Sequence, residues 1–316
     1  MRAVAVSRFR APAQLMELPK PEPRAGELLV KVRAAGVNPF DAKIADGLFD
    51  GQRPHVFPLI LGVDGAGTVA DVGPGVTRFR VGDRVTGQFL HDPIGTGTYA
   101  EFAPVPEQLG VARIPDGMRF DQAAALPTAG MTALDSLDSL SLSEGHALLI
   151  VGASGGVGSF ATEIAASMGI RVTALARRGS SERLRALGAG RVIDPADPEA
   201  VSVLRTEQPS GFDGMLDLMS DRVGFTRWLA LVRRGGSAAT TTYSADPEAG
   251  ANAGVRAVNI DLQPTASLLG RLLRIVSDHR LGVPLERSVA LPEAPAALAE
   301  LKAGRGRGKV VVEIPS

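Results

Sequence analysis

The chain has 316 residues, 45% of them apolar, with 34 basic and 34 acidic side chains and no cysteine. That is ample material for a sizeable core, while the balanced charge argues against nucleic acid as a main partner and the missing cysteines exclude disulfides and thiolate metal sites. No apolar run of ~18 residues marks a membrane span, and the opening MRAVAVSRFRAPAQL lacks the apolar core of a secretory signal, so no membrane partner is expected and a cytoplasmic location is the default.

The first third is rich in Gly and Pro and carries short apolar alternations, RAVAV, ELLVKVRAA, GAGTVADVG, DRVTG and TYAEFAPV. Turn signals separate them at short intervals, which predicts antiparallel β structure in a partly closed barrel. Asn38-Pro39-Phe40-Asp41 reads as a helix start. Asn can cap, Pro suits the first helical position, and Asp three residues on completes a capping-box-like pair. The segment FDQAAALPTAGMTALDSL has helical spacing and marks a boundary.

From Ala147 the texture changes. ALLIVGA reads as a buried strand, GVGSFATEIAASMG as a helix, RVTALA as a strand, SSERLRALGA as a helix and RVID as a third strand. FDGMLDLM, RVGFTRWLALV and SAATTTY continue the alternation, which implies βαβ units and a parallel sheet. Val255–Ile260 offers one more strand, SLLGRLLRIVSDHRL a helix, and GKVVVEI a closing strand. The basic GRGRGK before it reads as a turn entering that strand rather than a nucleic-acid arm. The expected class is α/β in two domains. A β-rich domain comprises residues 1–122 and 259–316, and a doubly wound parallel-sheet domain, residues 123–258, is inserted between its parts.

Between the first strand and helix of the inserted domain stands Ala153-Ser154-Gly155-Gly156-Val157-Gly158, the dinucleotide fingerprint with Ala for its first glycine. Such a loop turns tightly, brings backbone close to a pyrophosphate and places the phosphates at the positive end of the following helix. Alone the motif is weak; here it has a strand before it, a helix after it and a second strand on schedule. An NAD site wants an acid at the end of that second strand, roughly 20 residues on. RVTALA is followed instead by Arg177, Arg178, Gly179, Ser180 and Ser181. Guanidinium forks match a 2′-phosphate, so NADPH is the expected cofactor, with Arg177, Arg178 and Ser181 at its 2′-phosphate. Tyr243, after the fifth strand of this domain, is a candidate contact because ligands gather at the carboxyl ends of such strands.

The segments AAGVNPFDAKIADG, LGVDGAGTVADVGPGVTRFRVGDRV, GTYAEF, AAALPTAGMTAL, GASGGVG and GRGKVVVEI extend across nearly the whole chain. Together they resemble the zinc-independent, ζ-crystallin-like quinone oxidoreductases of the medium-chain dehydrogenase/reductase superfamily. The resemblance implies a GroES-like catalytic domain, a Rossmann cofactor domain with a cleft between them, NADPH, and a homodimer. Where the zinc-using relatives carry a cysteine ligand this chain has Asn38, and where they carry a His-Glu pair it has Val63 and Asp64. The histidines His55, His91, His146 and His279 are scattered without ligand spacing, so no metal is expected. The family often has a Tyr near the 2′-phosphate where this chain has Pro195, which leaves that phosphate to the arginines.

The resemblance places the Asn38 helix in the active site, so Asn38, Asp41 and Lys43 are the candidate catalytic residues. The Lys43 position commonly holds Tyr or Lys in the family. A nearby ammonium would stabilise negative charge on a substrate oxygen and could return a proton. Thr128 resembles the residue that holds the nicotinamide carboxamide, and Lys309 recurs near the cofactor. Tyr99 is read mainly as core packing. The expected activity is NADPH-dependent hydride transfer to a small electrophile, a quinone or an α,β-unsaturated carbonyl. An enoyl-thioester reductase of polyketide or fatty-acid metabolism and a non-catalytic NADPH-binding redox sensor are the alternatives.

Overall fold

The computed structural model of the chain describes every residue except those at positions 178, 307 and 316. By internal contacts the chain divides into two units, Met1–Met131 with Pro264–Asp278 and Leu285–Ser316, and Thr132–Gln263 with His279–Pro284.

The first unit opens with β1 (Arg2–Val6), β2 (Gln14–Glu17), β3 (Glu27–Gly36), the short helix α1 (Pro39–Ala45), β4 (His55–Ile60), β5 (Asp64–Val72) and β6 (Arg84–Gln88). There follow β7 (Ile94–Thr96), β8 (Phe102–Pro106), β9 (Val111–Arg113), α2 (Phe120–Ala125) and α3 (Pro127–Leu140). Strands β2, β1, β4 and β7 form one small sheet, and β3, β5, β6 and β9 belong to a larger one in which β8 also pairs with β3. The apolar alternations became strands because each buries its branched side chains, among them Val4, Val30, Val32, Val69 and Val85, in one core. Pairing is antiparallel where the sequence predicts it, with one exception: β4 runs parallel to β7.

The second unit is built from β10 (Ala147–Val151), α4 (Gly156–Ser167), β11 (Arg171–Leu175), α5 (Ser181–Ala186), β12 (Ala189–Ile193), α6 (Ala200–Glu207) and β13 (Phe212–Asp217). It continues through α7 (Arg222–Leu229), β14 (Val232–Thr240), α8 (Pro247–Ala253) and β15 (Arg256–Asn259). Its strands lie side by side in the order β12-β11-β10-β13-β14-β15, all parallel. That is the doubly wound, Rossmann-type order. It reverses direction between β10 and β13, the switch point at which open sheets of this kind take their ligands. Every residue of β10 is buried, as a central parallel strand requires.

The chain ends with α9 (Ala266–Asp278), β16 (Leu285–Ala290), α10 (Ala294–Lys302) and β17 (Lys309–Glu313). Helix α9 buries Leu269, Leu272, Leu273 and Val276, one stripe at helical spacing. Strand β17 pairs antiparallel with β3 and parallel with β16, which returns the chain end to the larger sheet of the first unit. The units divide later than the sequence suggests, within α3, for a physical reason. Thr86 Oγ1 donates to the Ala123 carbonyl at 2.8 Å, which ties α2 to β6. Residues 279–284 group with the second unit, and there the Gly282 N–H donates to Glu163 Oε1 of α4 at 2.6 Å. Among the described residues no helix is long and apolar enough to cross a membrane.

Candidate functional site

The fingerprint loop lies between β10 and α4, beside the reversal in strand order. The left-handed residue of the turn is Gly152, with φ 83°, so Ala153 in the first fingerprint position carries no conformational cost there and is fully buried. A Cβ on Gly158 would stand 2.5 Å from the Gly152 carbonyl oxygen and 2.6 Å from Ala153 Cα. Only glycine allows α4 to approach the strand end this closely. Gly155, the N-cap of α4, has open space where its Cβ would be, with the Gly152 oxygen nearest at 3.6 Å.

The loop carbonyls are turned inward. Gly152 O accepts from the Gly155 N–H and Gly155 O from the Ser159 N–H, while Ser154 O accepts from Arg183 Nη2 at 2.8 Å. The N–H groups of Ser154, Gly156, Val157 and Gly158 have no partner among the described residues. These orphan donors sit at the positive end of a twelve-residue helix. The arrangement fits a pyrophosphate.

Strand β11 ends at Leu175, and the exposed Arg177 follows, with no acid in the sequence between β11 and α5. Arg178 lies outside the described residues. Ser181 opens α5 and is half-exposed. Tyr243 stands beyond β14 with φ 57° and 61% of its surface exposed, a left-handed conformation unusual for so bulky a residue. Its hydroxyl donates to Asp261 Oδ1 at 3.0 Å, and that bond raises the hydroxyl's pKa. Asp217 ends β13 fully buried, with Oδ1 accepting from the N–H groups of Met219 and Ser220.

A second polar cluster is buried in the first unit, and strand register explains it. Gly36 of β3, Asp64 of β5 and Gln88 of β6 face one another in a row across the sheet. Asp64 is fully buried. Its Oδ1 accepts from the Thr128 hydroxyl at 2.6 Å, and its Oδ2 from Asn38 Nδ2 at 2.9 Å and Lys309 Nζ at 3.3 Å. The Thr128 N–H reaches both oxygens at 3.1 Å. Lys309 Nζ also donates to Asn38 Oδ1 at 2.6 Å, and Gln88 Nε2 to the Thr128 hydroxyl at 2.8 Å. Gly36 makes room, since a Cβ there would stand 3.1 Å from Lys309 Cε and 2.4 Å from the Ala124 carbonyl oxygen. The Lys309–Asp64 pair is 2% and 0% exposed, so the amide and hydroxyl donors are what make the buried ion pair tolerable.

The structure therefore brings together Asn38, Thr128 and Lys309, which lie far apart in the sequence. The Asn38 amide does not cap α1, since both of its ends are engaged in this cluster. The other half of the helix-start pattern is present: Asp41 Oδ2 accepts from the Asn38 N–H at 2.8 Å. Asp41 also accepts from the Val63 N–H at 3.0 Å and the Tyr99 hydroxyl at 2.8 Å. Burial pushes its carboxyl up to about 7, although the Asn38 and Tyr99 hydrogen bonds pull the other way. Burial and the facing carboxylate likewise raise Tyr99. Tyr99 is thus a core residue with its hydroxyl satisfied. Asp41 is 1% exposed with its oxygens bonded internally, which suits a brace between α1 and the barrel. Lys43, on the same helix, is exposed.

Gln88 and Arg183 join these sites without a sequence signal of their own. The available clue to Asp64 was an acid inside an otherwise apolar strand start, LGVDGAG, since a carboxylate there needs buried partners. Among the described residues no group of three or more His, Cys, Asp or Glu is placed to hold a metal ion.

Comparison with known proteins agrees with this geometry. An alcohol dehydrogenase GroES-like domain matches residues 24–116, and a zinc-binding dehydrogenase domain matches residues 187–312. The chain is 31% identical over 314 residues to a chloroplast envelope quinone oxidoreductase homolog of Arabidopsis thaliana, covering 94% of this chain and 93% of that protein. It is 33% identical over 300 residues to part of a polyketide synthase of Streptomyces halstedii, covering 92% of this chain and 5% of the synthase. A mycobacterial protein solved in complex with NADPH has a TM-score of 0.85 at 27% identity, with 99% of both chains covered.

Proposed function

Because the chain belongs to the quinone oxidoreductase group of the medium-chain dehydrogenase/reductase superfamily, we propose that it is a zinc-independent, NADPH-dependent enzyme that reduces a quinone or an α,β-unsaturated carbonyl compound. The observation that carries this reading is the row of unpartnered N–H groups at the start of α4, with a guanidinium and no carboxylate after β11. The donors suit the pyrophosphate. Arg177 suits a 2′-phosphate, which an acid at that place would repel.

The bound cofactor supplies the hydride. The chain's own residues do the rest. Lys43 presents an ammonium where charge develops on the substrate oxygen, and its Nζ carries a proton that the reduced product can take. Asn38 and Lys309 act as positioning residues through Asp64, and Asp41 fixes α1, which carries Lys43. The cysteine-free sequence, with Asn38, Val63 and Asp64 where zinc-using relatives carry ligands, supports chemistry without the metal.

The test follows NADPH oxidation with a benzoquinone, a 2-alkenal and a crotonyl thioester in parallel, with NADH as control. Turnover of the quinone or alkenal with little use of NADH is the expected result, and Lys43→Gln should lower kcat by about a hundredfold or more. A preference for NADH would sink the assignment of Arg177. The match to a polyketide synthase segment favours a second reading, an enoyl-thioester reductase, and turnover of the crotonyl thioester alone would select it. Cofactor binding without turnover of any acceptor would overturn the enzyme reading in favour of a sensor.

A further inference from the structure

The basic stretch after β11 has a third guanidinium, Arg183 on α5, and it has partners in the fingerprint loop and α4. Its Nη2 donates to the Ser154 carbonyl at 2.8 Å and its Nη1 to Ser159 Oγ at 2.9 Å. One side chain thus bridges the middle of the glycine loop and the first turn of α4. Ser159 is itself fully buried, and its hydroxyl lies 3.5 Å from the Ala153 carbonyl.

This matters because of what a phosphate meets. A peptide carbonyl directed at an anion repels it, and an N–H attracts it. Of the loop carbonyls, Gly152 O and Gly155 O are bound by backbone N–H groups, whereas the carbonyl of Ser154 is bound by Arg183. The peptide that carries the Ser154 carbonyl also carries the Gly155 N–H, which donates to Gly152 O, so Arg183 and Gly152 hold that peptide from both sides, between the free N–H groups of Ser154 and Gly156. A guanidinium's rigid fork fixes two acceptors at once, which a point-charge ammonium does less well.

Resting on the dinucleotide reading above, we propose that Arg183 is a positioning residue for the pyrophosphate. It holds the Ser154 carbonyl behind the loop so that the loop presents only donors. It therefore serves NADPH and NADH alike, in contrast to Arg177, whose role depends on the 2′-phosphate.

Two ligand fragments separate these roles. ADP-ribose carries the pyrophosphate and no 2′-phosphate, and adenosine 2′-monophosphate carries the reverse. Binding of each would be measured by calorimetry on the full chain, wild type and variant. Arg183→Met should weaken ADP-ribose about tenfold, the size of one lost charge-assisted hydrogen bond. It should leave adenosine 2′-monophosphate within about twofold, which also verifies the fold of the variant. Arg183→Lys, which keeps the charge and loses the fork, should fall between wild type and Arg183→Met. Arg177→Met should show the opposite pattern. Loss of adenosine 2′-monophosphate alone in Arg183→Met would reassign Arg183 to the 2′-phosphate, and unchanged binding of both fragments would overturn any part for it. A wild-type chain that binds neither fragment would overturn the dinucleotide reading itself, a result distinct from either.

Discussion

Residues 152–158 gather unpartnered backbone N–H groups within one short loop, whereas the Asp64 cluster is assembled from side chains at positions 38, 64, 88, 128 and 309. The loop gains its donors because a helix has to start somewhere and its first N–H groups lack partners. Its demands on sequence are steric: small residues where backbone must approach backbone. The cluster has the opposite economy. Every polar group in it is paired, and removing any one strands another in a low dielectric. The loop should therefore tolerate side-chain changes that do not add bulk, and the cluster should not tolerate loss of charge.

The largest effect should come from Asp64→Ala, which leaves the Lys309 ammonium buried without its carboxylate. Breaking a buried pair from one side costs about 3–5 kcal/mol, so thermal unfolding should move down by on the order of 10 °C. The double variant Asp64→Leu with Lys309→Met should recover much of that loss, because no charge is then stranded. Equal damage from the single and double variants would show that the ion pair is not the strut of the cluster.

Gly158→Ala probes the loop. Its Cβ would press on backbone atoms 2.5 and 2.6 Å away, at a cost of about 1–3 kcal/mol, and cofactor affinity should fall with it. Titration of NADPH against thermal stability checks both, and an unaffected Kd would mean that the loop accommodates the methyl without displacing its donors. Thr128→Val is milder. It removes the hydroxyl that donates to Asp64 and accepts from Gln88, which should cost about 1 kcal/mol in denaturant unfolding. A neutral result would place that hydroxyl outside the cluster's energetics.

The remaining signal is a pH dependence. The Asp41 carboxyl stands at about 7 in the folded chain against an ordinary value of 3.8. The folded state therefore binds the proton more tightly, and this contribution to stability is fully present below about 3.8 and lost as pH rises through about 7. Asp83, Glu101, Glu107 and Asp213 are shifted downward and act in the opposite sense, losing stability as pH falls. The readout is thus the difference between wild type and Asp41→Asn, which should favour wild type more at pH 4.5 than at pH 7.5. A difference that grows with pH would show that the Asn38, Val63 and Tyr99 donors keep Asp41 ionised.

Read from the sequence alone, the strand–loop–helix at 147–167 and its glycines are legible because their partners are only a few positions away. So are the parallel order of the second unit, from alternating strand and helix patterns, and the Asn38-Pro39 helix start. Asn38, Thr128 and Lys309 could be named one at a time, through resemblance, and their common partner could not. Asp64 looked like a vacated metal position, and Gln88 like any strand residue.

What the sequence by itself determined is therefore whatever local geometry encodes: helix starts, the glycine turn, the arginines after β11 and the βαβ succession. Only the tertiary structure decided that Asp64 joins Asn38, Thr128 and Lys309, that the Asn38 amide leaves its cap for that cluster, and that Arg183 reaches back to Ser154. The physical reason is sheet register. Gly36, Asp64 and Gln88 meet because β3, β5 and β6 pair at one particular offset, and a shift of one residue would send the carboxylate to the opposite face. That offset is fixed by the burial of whole strands and not by any pattern surrounding Asp64.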